Sequence, residues 1–326
     1  MQQPLVSICI PTHNRLSFFK QALKSAQRQT YNTIEIVISD NSDDNTTQKY
    51  VTTLKDERIK YYRSASRHDF LFNFDKVEQL ANGKYIKYLL DDDLLKPDCV
   101  SKMVQVLEQY PKVGVVMAPL KIIDEKGMSI QPRFYFFRKM KYLYKYLNQD
   151  SYIKKEKIMN DFLTTIYPCC VPTGIMFRKS LFHSVKGFDK TFKEISDLEL
   201  CMNFATKMDF YYINEFLSFW RYSHFSATIS VVHKIGIELD IYYKLVHKYF
   251  LYTTSHQKAY FFASKRTVLN VLAGVRSKNP TLVFETLRTI LYNDPYVLNK
   301  IILPFNLFFV FIKSLFLILK KVQKYL

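Results

Sequence analysis

Short apolar runs alternate with helical patterns along the first 120 residues of the chain. Apolar, β-branched runs predict strands at 5–10, 34–39, 58–63, 85–90 and 113–118, and Pro11 is expected to end the first of them. Between these runs, apolar residues recur at helical spacing and predict helices at about 16–28, 46–54, 74–80 and 98–109. Strand, turn and helix repeated at this spacing is typical of βαβ units. The pattern therefore predicts an α/β fold with a mainly parallel sheet flanked by helices.

The rest of the chain changes character twice. A strand at 174–178 and a helix at about 197–208 continue the α/β pattern, but only helical periodicity is found from residue 233 onward. The last segment is an apolar block followed by lysines. We therefore expect a domain over 1–230, a helical extension over 231–300 and a terminal apolar and basic helix over 301–326.

Polar residues follow three of the first four predicted strands, at the point where each strand ends. Thr12, Asn14 and Arg15 follow the first strand, Asp40 closes the second, and Asp91–Asp93 follow the fourth. In open parallel sheets, ligands bind beyond the carboxyl ends of the strands. We therefore expect these side chains to converge on one crevice.

The acidic residues at these strand ends are the strongest candidates for chemistry. The three adjacent carboxylates Asp91–Asp93 repel each other, so keeping them ionised requires a cation or full solvation. Mg²⁺ or Mn²⁺, bound by one or two carboxylates and by substrate phosphates, meets that need. The alternative is a solvated acidic turn that caps the helix at 98. Asp40 leaves a similar choice between an ordinary turn former and an acceptor for the imide N–H of uracil or thymine.

Composition narrows the possible partners. The chain has 47 Lys+Arg against 29 Asp+Glu, a net charge of +18, which suits nucleic acid, an anionic membrane surface or phosphate-bearing small molecules. The basic residues are spread along the chain without a recognisable nucleic-acid-binding motif, so we expect no nucleic-acid partner. Five cysteines without CxxC spacing argue against a disulfide framework or a zinc site and favour a reducing compartment.

Five segments, taken in order and spacing, resemble one known family. They are VSICIPTHNR, EIVISDNSDDNTTQ, GKYIKYLLDDDLLKPD, GFDKTFKEISDLEL and WRYSHFSATIS. Together they resemble the inverting family-2 glycosyltransferases with the GT-A fold, over roughly residues 4–230. The resemblance implies a GT-A nucleotide-diphospho-sugar transferase fold, followed here by a C-terminal helical extension.

The resemblance implies a site for a nucleotide sugar. Its residues would be Pro11, Thr12, Asn14, Arg15, Asp40, Arg67, Asp91 and Arg221. Pro11 and Thr12 would lie against the base and the ribose, with Asp40 on the base. Asp91 would face the ribose, and Arg221 would lie near the pyrophosphate. A UDP-sugar is the expected donor.

The same resemblance implies a metal site and a catalytic base. Asp92 would be the main ligand of Mg²⁺ or Mn²⁺, with Asp93 in support, and Asp197 would be the base. His224 matches a position that completes the metal site in some relatives; the alternative is a packed or surface histidine.

Asp197 also has a structural interpretation. Ser196 and Glu199 form an S-x-x-E pattern that predicts a capping box at the start of a helix. Asp197 could then be only a favourable acid in the first helical turn. The two interpretations are compatible, because a positive helix end helps to keep a catalytic carboxylate ionised.

The carboxyl-terminal segment predicts a contact with a membrane surface. Residues 301–319 contain fifteen apolar residues in nineteen, with Lys313 in the middle and Lys320, Lys321 and Lys324 behind. A helix after Pro304 would be roughly 22 Å long, short of a ~30 Å hydrocarbon core, so spanning is disfavoured. We expect an interfacial helix on anionic head groups at the cytoplasmic face; the alternative is a helix packed on the catalytic domain.

These observations predict an enzyme that transfers a sugar from a nucleoside-diphosphate sugar to a hydroxyl of a glycan or lipid-linked acceptor, in cell-surface polysaccharide synthesis. Direct displacement at the anomeric carbon would invert its configuration. One alternative is a related fold that binds nucleotide sugars without turnover. A basic nucleic-acid-binding protein is the remote alternative.

Overall fold

The computed structural model describes residues 2–64, 70–130, 148–164, 171–222 and 241–252, and single positions or pairs at 256, 259–260, 288–289 and 292–293. By its internal contacts the chain divides into two compact units. The first comprises residues 1–159 and 166–226, and the second comprises 160–165 and 227–326.

Eleven strands are described, and they form two sheets. In chain order they are β1 (Val6–Thr12), β2 (Ile34–Asp40), β3 (Ile59–Arg63), β4 (Tyr85–Tyr88), β5 (Leu94–Leu95), β6 (Val113–Met117), β7 (Leu120–Ile123), β8 (Ser151–Ile153), β9 (Ile175–Arg178), β10 (Asp209–Tyr212) and β11 (Ser218–Arg221). The large sheet has the order β3-β2-β1-β4-β9-β6-β10-β8, and the small sheet has the order β5-β11-β7.

The large sheet is mostly parallel where the sequence predicts βαβ units. β3, β2, β1 and β4 are parallel neighbours, whereas β9 runs antiparallel between β4 and β6. Every residue of β1 and β2 is buried, as expected for strands covered on both faces. The α/β architecture with a mainly parallel sheet is thus confirmed.

Eight α-helices are described. They are α1 (Leu16–Gln27), α2 (Thr46–Thr52), α3 (Phe70–Leu80), α4 (Cys99–Gln109), α5 (Lys155–Thr164), α6 (Lys179–Ser184), α7 (Ser196–Ala205) and α8 (Ile241–Lys248). Helix α1 buries one apolar face, formed by Phe19, Ala22, Leu23 and Ala26, in the same core as β1 and β2. Burial of such a face stabilises a helix more than its intrinsic propensity does.

Strand β1 does not end at Pro11, as the sequence analysis expected, but continues to Thr12. The carbonyl of Cys9 accepts from the N–H of Leu89, so Cys9 is oriented towards β4. Pro11, two residues later, faces the same side, where β4 has already ended at Tyr88. The missing N–H of Pro11 therefore breaks no ladder hydrogen bond.

The second unit is described mainly through α8 and a short 3₁₀ turn, Phe250–Tyr252. Helix α8 buries Ile241, Tyr243, Leu245 and Val246. Within the described part of the chain, no helix is long and apolar enough to cross a membrane. The segment 301–326, for which we expect an interfacial helix, lies outside the described residues, so that expectation stays a prediction.

Candidate functional site

The carboxyl ends of β1, β2 and β4 meet at one edge of the large sheet. Thr12 pairs with Asp40 in the register of β1 and β2. The hydroxyl of Thr12 donates to Oδ2 of Asp91 at 2.9 Å, and the N–H of His13 donates to the same oxygen at 3.2 Å. The expected convergence of these strand ends is therefore present in the structure.

Arg15 lies against the first two carboxylates of the triplet. Its Nη1 lies 2.9 Å from Oδ2 of Asp92 and 3.3 Å from Oδ1 of Asp91. Burial and the neighbouring Asp92 raise the pKa of Asp91 to about 6, although Arg15 and Thr12 oppose that shift. Burial also raises the pKa of Asp92, again against Arg15. These two acids form one buried pair that is neutralised in part by one guanidinium.

Asp93 is oriented differently from its two neighbours. It is fully buried, and the hydroxyl of Thr173 donates to its Oδ2 at 2.6 Å. The backbone N–H of Arg221 donates to its Oδ1 at 2.9 Å. Burial, and after it the charge of Asp92, raises the pKa of Asp93 well above its usual range. Both oxygens of Asp93 thus have protein donors that hold the carboxylate in place. The role of supporting metal ligand, expected from the sequence, stays a prediction.

Arg221, at the end of β11, contacts the acidic triplet through its side chain as well as its backbone. Its side chain is fully buried, and Nε donates to the carbonyl of Asp92 at 2.8 Å. Nη1 donates to the carbonyls of Asp124 and Glu125 at 3.0 and 2.9 Å, and Nη2 donates to Oε1 of Gln21 at 2.9 Å. The family resemblance implies that this guanidinium lies near a pyrophosphate. In the structure its donors are directed at protein oxygens, so we assign Arg221 a positioning role instead.

Asp40 makes the local contact of an ordinary turn former, one of the two interpretations left open by the sequence. Its Oδ1 accepts from the N–H of Ser42 at 2.8 Å, the local bond of an Asx turn. Its Oδ2 accepts from the hydroxyl of Tyr61 at 2.6 Å, and burial raises the pKa of that tyrosine. Each carboxylate oxygen has a further lone pair. Asp40 is therefore fixed in place and fully buried, and its contact with a base stays a prediction.

Asn14 and Pro11 shape the turn around this edge. Asn14 has a φ of 54°, a left-handed conformation that asparagine tolerates. It exchanges two hydrogen bonds with Asp43: its Nδ2 donates to Oδ2 at 2.6 Å, and the N–H of Asp43 donates to its Oδ1 at 2.9 Å. Pro11 is buried within β1, opposite Ser39. Asn14 therefore holds the β1–α1 turn against the loop after β2.

Two supporting residues had little or no signal in the sequence. Asn73 on α3 is buried, donates to the carbonyl of Thr12 at 3.0 Å and accepts from the hydroxyl of Ser39 at 2.9 Å. In the sequence, Asn73 matches only loosely, together with Arg67, an Arg-Asn turn of the family that the chain resembles. Thr173 was not predicted, because a threonine before a strand is common and its partner Asp93 is 80 residues away.

Asp197 lies in the first turn of α7. Burial raises its pKa to about 6, and the N–H of Leu198 donates to its Oδ1 at 2.8 Å. The predicted capping box is wrong: α7 begins at Ser196 itself, after Ile195, and no side chain caps the helix. A 3₁₀ segment, Lys190–Ile195, leads directly into α7 and places Ser196 inside the helix. Since the pKa of Asp197 is raised, desolvation outweighs the lowering of the pKa that a positive helix end would cause.

The donor set fits a hard cation only in part. Oxygens of Asp91 and Asp92 converge on one nitrogen of Arg15, which indicates a position that favours positive charge. Within the described residues, no group of three His, Cys, Asp or Glu side chains could by itself hold a metal ion. An ion here would therefore need further oxygens, such as substrate phosphates, as Mg²⁺ commonly does. Two expected site residues, Arg67 and His224, lie outside the described residues.

Comparison with known proteins identifies the family of this chain. The model of "Glycosyl transferase family 2" matches residues 7–186, more than half of the chain. The chain belongs to glycosyl transferase family 2. The family resemblance found in the sequence is thus confirmed. The matched region includes Thr12, Asp40 and Asp91–Asp93 at the carboxyl ends of β1, β2 and β4.

Curated relatives of this glycosyltransferase chain are distant. An uncharacterized glycosyltransferase of Rickettsia typhi is 24% identical over 66% of this chain, which spans 63% of that protein's length. A GalNAc(5)-diNAcBac-PP-undecaprenol beta-1,3-glucosyltransferase of Campylobacter jejuni is 26% identical over 69% of this chain and 68% of its own. The putative colanic acid biosynthesis glycosyl transferase WcaA of Escherichia coli is 24% identical over 88% of this chain and 93% of its own.

Solved structures show the fold. TarS 1-349 of S. aureus, in complex with UDP-GlcNAc, matches 88% of this chain and 88% of its own with a TM-score of 0.54 and 13% identity. The mannosyltransferase PcManGT of Pyrobaculum calidifontis, in complex with GDP-Man and Mn²⁺, matches 91% of this chain and 83% of its own with a TM-score of 0.56 and 14% identity. The chain therefore has the GT-A fold, as expected.

Proposed function

We propose that this family-2 enzyme is an inverting glycosyltransferase that moves a sugar from a UDP-sugar to a hydroxyl of a glycan or lipid-linked acceptor, in cell-surface polysaccharide synthesis. The observation that carries the proposal is the meeting of Thr12, Asp40 and the acidic pair Asp91–Asp92 at one sheet edge. Ligands of open parallel sheets bind at this edge. The Campylobacter relative, which acts on a PP-undecaprenol-linked glycan, supports the acceptor class, and the Escherichia relative, named for colanic acid biosynthesis, supports the role in polysaccharide synthesis.

The nucleotide would lie across this edge. Asp40, held by Tyr61 and the N–H of Ser42, has a lone pair available for the imide N–H of uracil. Asp91 would accept a hydrogen bond from a ribose hydroxyl through its Oδ1, whose contact to Arg15 is the longer one, at 3.3 Å. Pro11 and Thr12 would form the wall against base and ribose.

A divalent ion would be held by Asp92 together with the phosphates of the donor. Oδ2 of Asp92 contacts the partly exposed guanidinium of Arg15 at 2.9 Å. When bound, Mg²⁺ or Mn²⁺ would act as a Lewis acid that offsets the charge growing on the departing diphosphate. Asp93 and Arg221 would keep the carboxylates in place.

Asp197 would act as the general base. Its carboxylate would take the proton of the acceptor hydroxyl while the hydroxyl oxygen forms a bond to the anomeric carbon. The bond from that carbon to the diphosphate would break, and the nucleoside diphosphate would leave with the electron pair. A pKa of about 6 leaves the carboxylate mostly ionised at neutral pH and able to accept the proton.

A thermal-shift panel of nucleotide sugars, with and without Mn²⁺, tests the proposal. We expect stabilisation by UDP-sugars and by UDP, and a larger shift when Mn²⁺ is present. Asp40→Asn is the paired variant, because its amide presents a donor as well as an acceptor to the base. Stabilisation by guanine or thymine nucleotides but not by uracil nucleotides would overturn the UDP assignment, and no response to any nucleotide would overturn the function.

A further inference from the structure

The guanidinium of Arg15 contacts both acids, including the Asp92 carboxylate that would hold a metal ion. Its single Nη1 atom contacts Oδ2 of Asp92 at 2.9 Å and Oδ1 of Asp91 at 3.3 Å. The two carboxylate side chains are only 7% and 8% exposed, so little water screens this contact. A divalent ion bound to Asp92 would bring a second positive charge to the same few ångströms.

The two cations cannot both hold Asp92 at low cost. Like charges a few ångströms apart in a site of reduced dielectric repel strongly. A carboxylate oxygen that coordinates a metal ion must also be directed at the ion rather than at a guanidinium. One of the two cations must therefore move when the other binds. If the ion is coordinated by the diphosphate of the nucleotide sugar, that diphosphate can pair with the cationic side chain that the ion displaces.

Arg15 is the arginine able to move. Its side chain is 25% exposed and extends from the turn just before α1. Arg221, the other arginine at the triplet, is fully buried and donates to four protein oxygens. Displacing Arg221 would leave these oxygens without their donors, whereas the side chain of Arg15 already reaches solvent and has room to turn towards a bound anion.

We propose that Arg15 is an exchangeable counter-cation. It pairs with Asp91 and Asp92 in the absence of donor, yields Asp92 to the divalent ion, and then pairs with the diphosphate. This inference rests on the proposed function, because it requires a metal–diphosphate ligand. Arg15 is thus a positioning residue that couples metal binding to nucleotide binding.

The exchange has a thermodynamic consequence. In the wild type, an ion that binds alone must displace Arg15 without offering it a new partner, so its affinity is low. When UDP is present, the diphosphate receives Arg15, so the ion and UDP favour each other's binding. Removing Arg15 should strengthen binding of the ion alone and should reduce the coupling between ion and UDP, since linkage is reciprocal.

Binding of Mn²⁺, followed by the electron paramagnetic resonance signal of the free ion, tests this without any turnover. The variant is Arg15→Gln, measured with and without UDP. Lys24→Gln is the matched control, since it removes the same charge from the exposed side of α1. Arg15→Lys keeps the charge, and thermal unfolding checks that each variant is folded.

We expect Arg15→Gln to bind Mn²⁺ alone about tenfold more tightly than the wild type, and the factor by which UDP strengthens Mn²⁺ binding to fall by a similar amount. Lys24→Gln should match the wild type, and Arg15→Lys should lie between. Unchanged or weaker Mn²⁺ binding by folded Arg15→Gln, while the wild type binds Mn²⁺ with UDP, would overturn the exchange alone. Wild type that binds UDP but no Mn²⁺ would overturn the exchange and the metal assignment, and wild type that binds neither would overturn the proposed function as well.

Discussion

The backbone N–H of Arg221 donates to Oδ1 of Asp93 at 2.9 Å, across 128 residues of sequence. This bond joins the end of β11 in the small sheet to the acidic turn after β4 in the large one. The side chain of Arg221 strengthens the connection by donating to the carbonyl of Asp92. Arg221 therefore holds Asp93 and the backbone of Asp92, whereas the carboxylates of Asp91 and Asp92 contact Arg15.

Arg221→Lys tests this positioning role. A lysine keeps the charge but lacks the planar fork that reaches four oxygens, so we expect a loss of roughly 2–4 kcal/mol in the free energy of unfolding. Urea denaturation measures it. Arg58→Lys is the control, because Arg58 is 35% exposed and bonds mainly to its neighbour Asp56; its loss should stay below about 1 kcal/mol. Wild-type stability with weakened UDP binding would instead place Arg221 at the diphosphate.

Thr173→Val should remove a second contact that holds Asp93 in place. The hydroxyl of Thr173 donates to the buried Asp93 and accepts from the N–H of Leu90 at 3.1 Å. Valine leaves both groups without that partner, at a cost of about 1–3 kcal/mol in unfolding free energy. Thr173→Ser retains the hydroxyl and should lose much less. Equal stability of the valine and serine variants in urea would show that the hydroxyl is unimportant.

Local patterns explain why the strands and the triplet could be predicted. Buried parallel strands such as β1 and β2 are continuous apolar runs, and the acids follow them directly in the chain. The partners of Asp93 could not be predicted, since Thr173 and Arg221 are distant in sequence and reach it only through the strand order. The capping box failed for a related reason: the 3₁₀ segment before Ser196, which the S-x-x-E pattern does not reveal, moved the helix start.

Asp197→Asn should stabilise the protein in a pH-dependent way. The folded-state pKa of about 6 lies above the ordinary value of 3.8, so ionised Asp197 costs stability above pH 6, and this cost disappears as the pH falls to 4. Thermal unfolding should give a gain of roughly 1–3 kcal/mol at pH 8 and little at pH 4. Asp56→Asn is a control of opposite sign, because Arg58 lowers the pKa of Asp56. A gain that does not depend on pH would refute this account of Asp197.

Truncation after Asn299 tests the predicted membrane contact. We expect the shortened enzyme to bind its nucleotide sugar normally, to act poorly on a membrane acceptor and to remain in the supernatant when anionic vesicles are sedimented. Full-length protein with Lys320, Lys321 and Lys324 changed to Gln should bind such vesicles more weakly. Recovery of the unaltered full-length protein in a high-speed supernatant, without detergent and at low salt, would contradict the prediction.

The most direct test of the central claim compares turnover with binding in Asp197→Asn. The donor is the nucleotide sugar that the thermal-shift panel selects, and release of nucleoside diphosphate reports turnover. Asp98→Asn, a 39% exposed acid paired with Lys102, is the control and should keep wild-type activity. The account predicts that Asp197→Asn lowers kcat by a factor of about 10²–10⁴ while the Kd of the nucleotide sugar stays within about twofold. A wild-type kcat, or a loss of nucleotide binding as large as the loss of turnover, would contradict it.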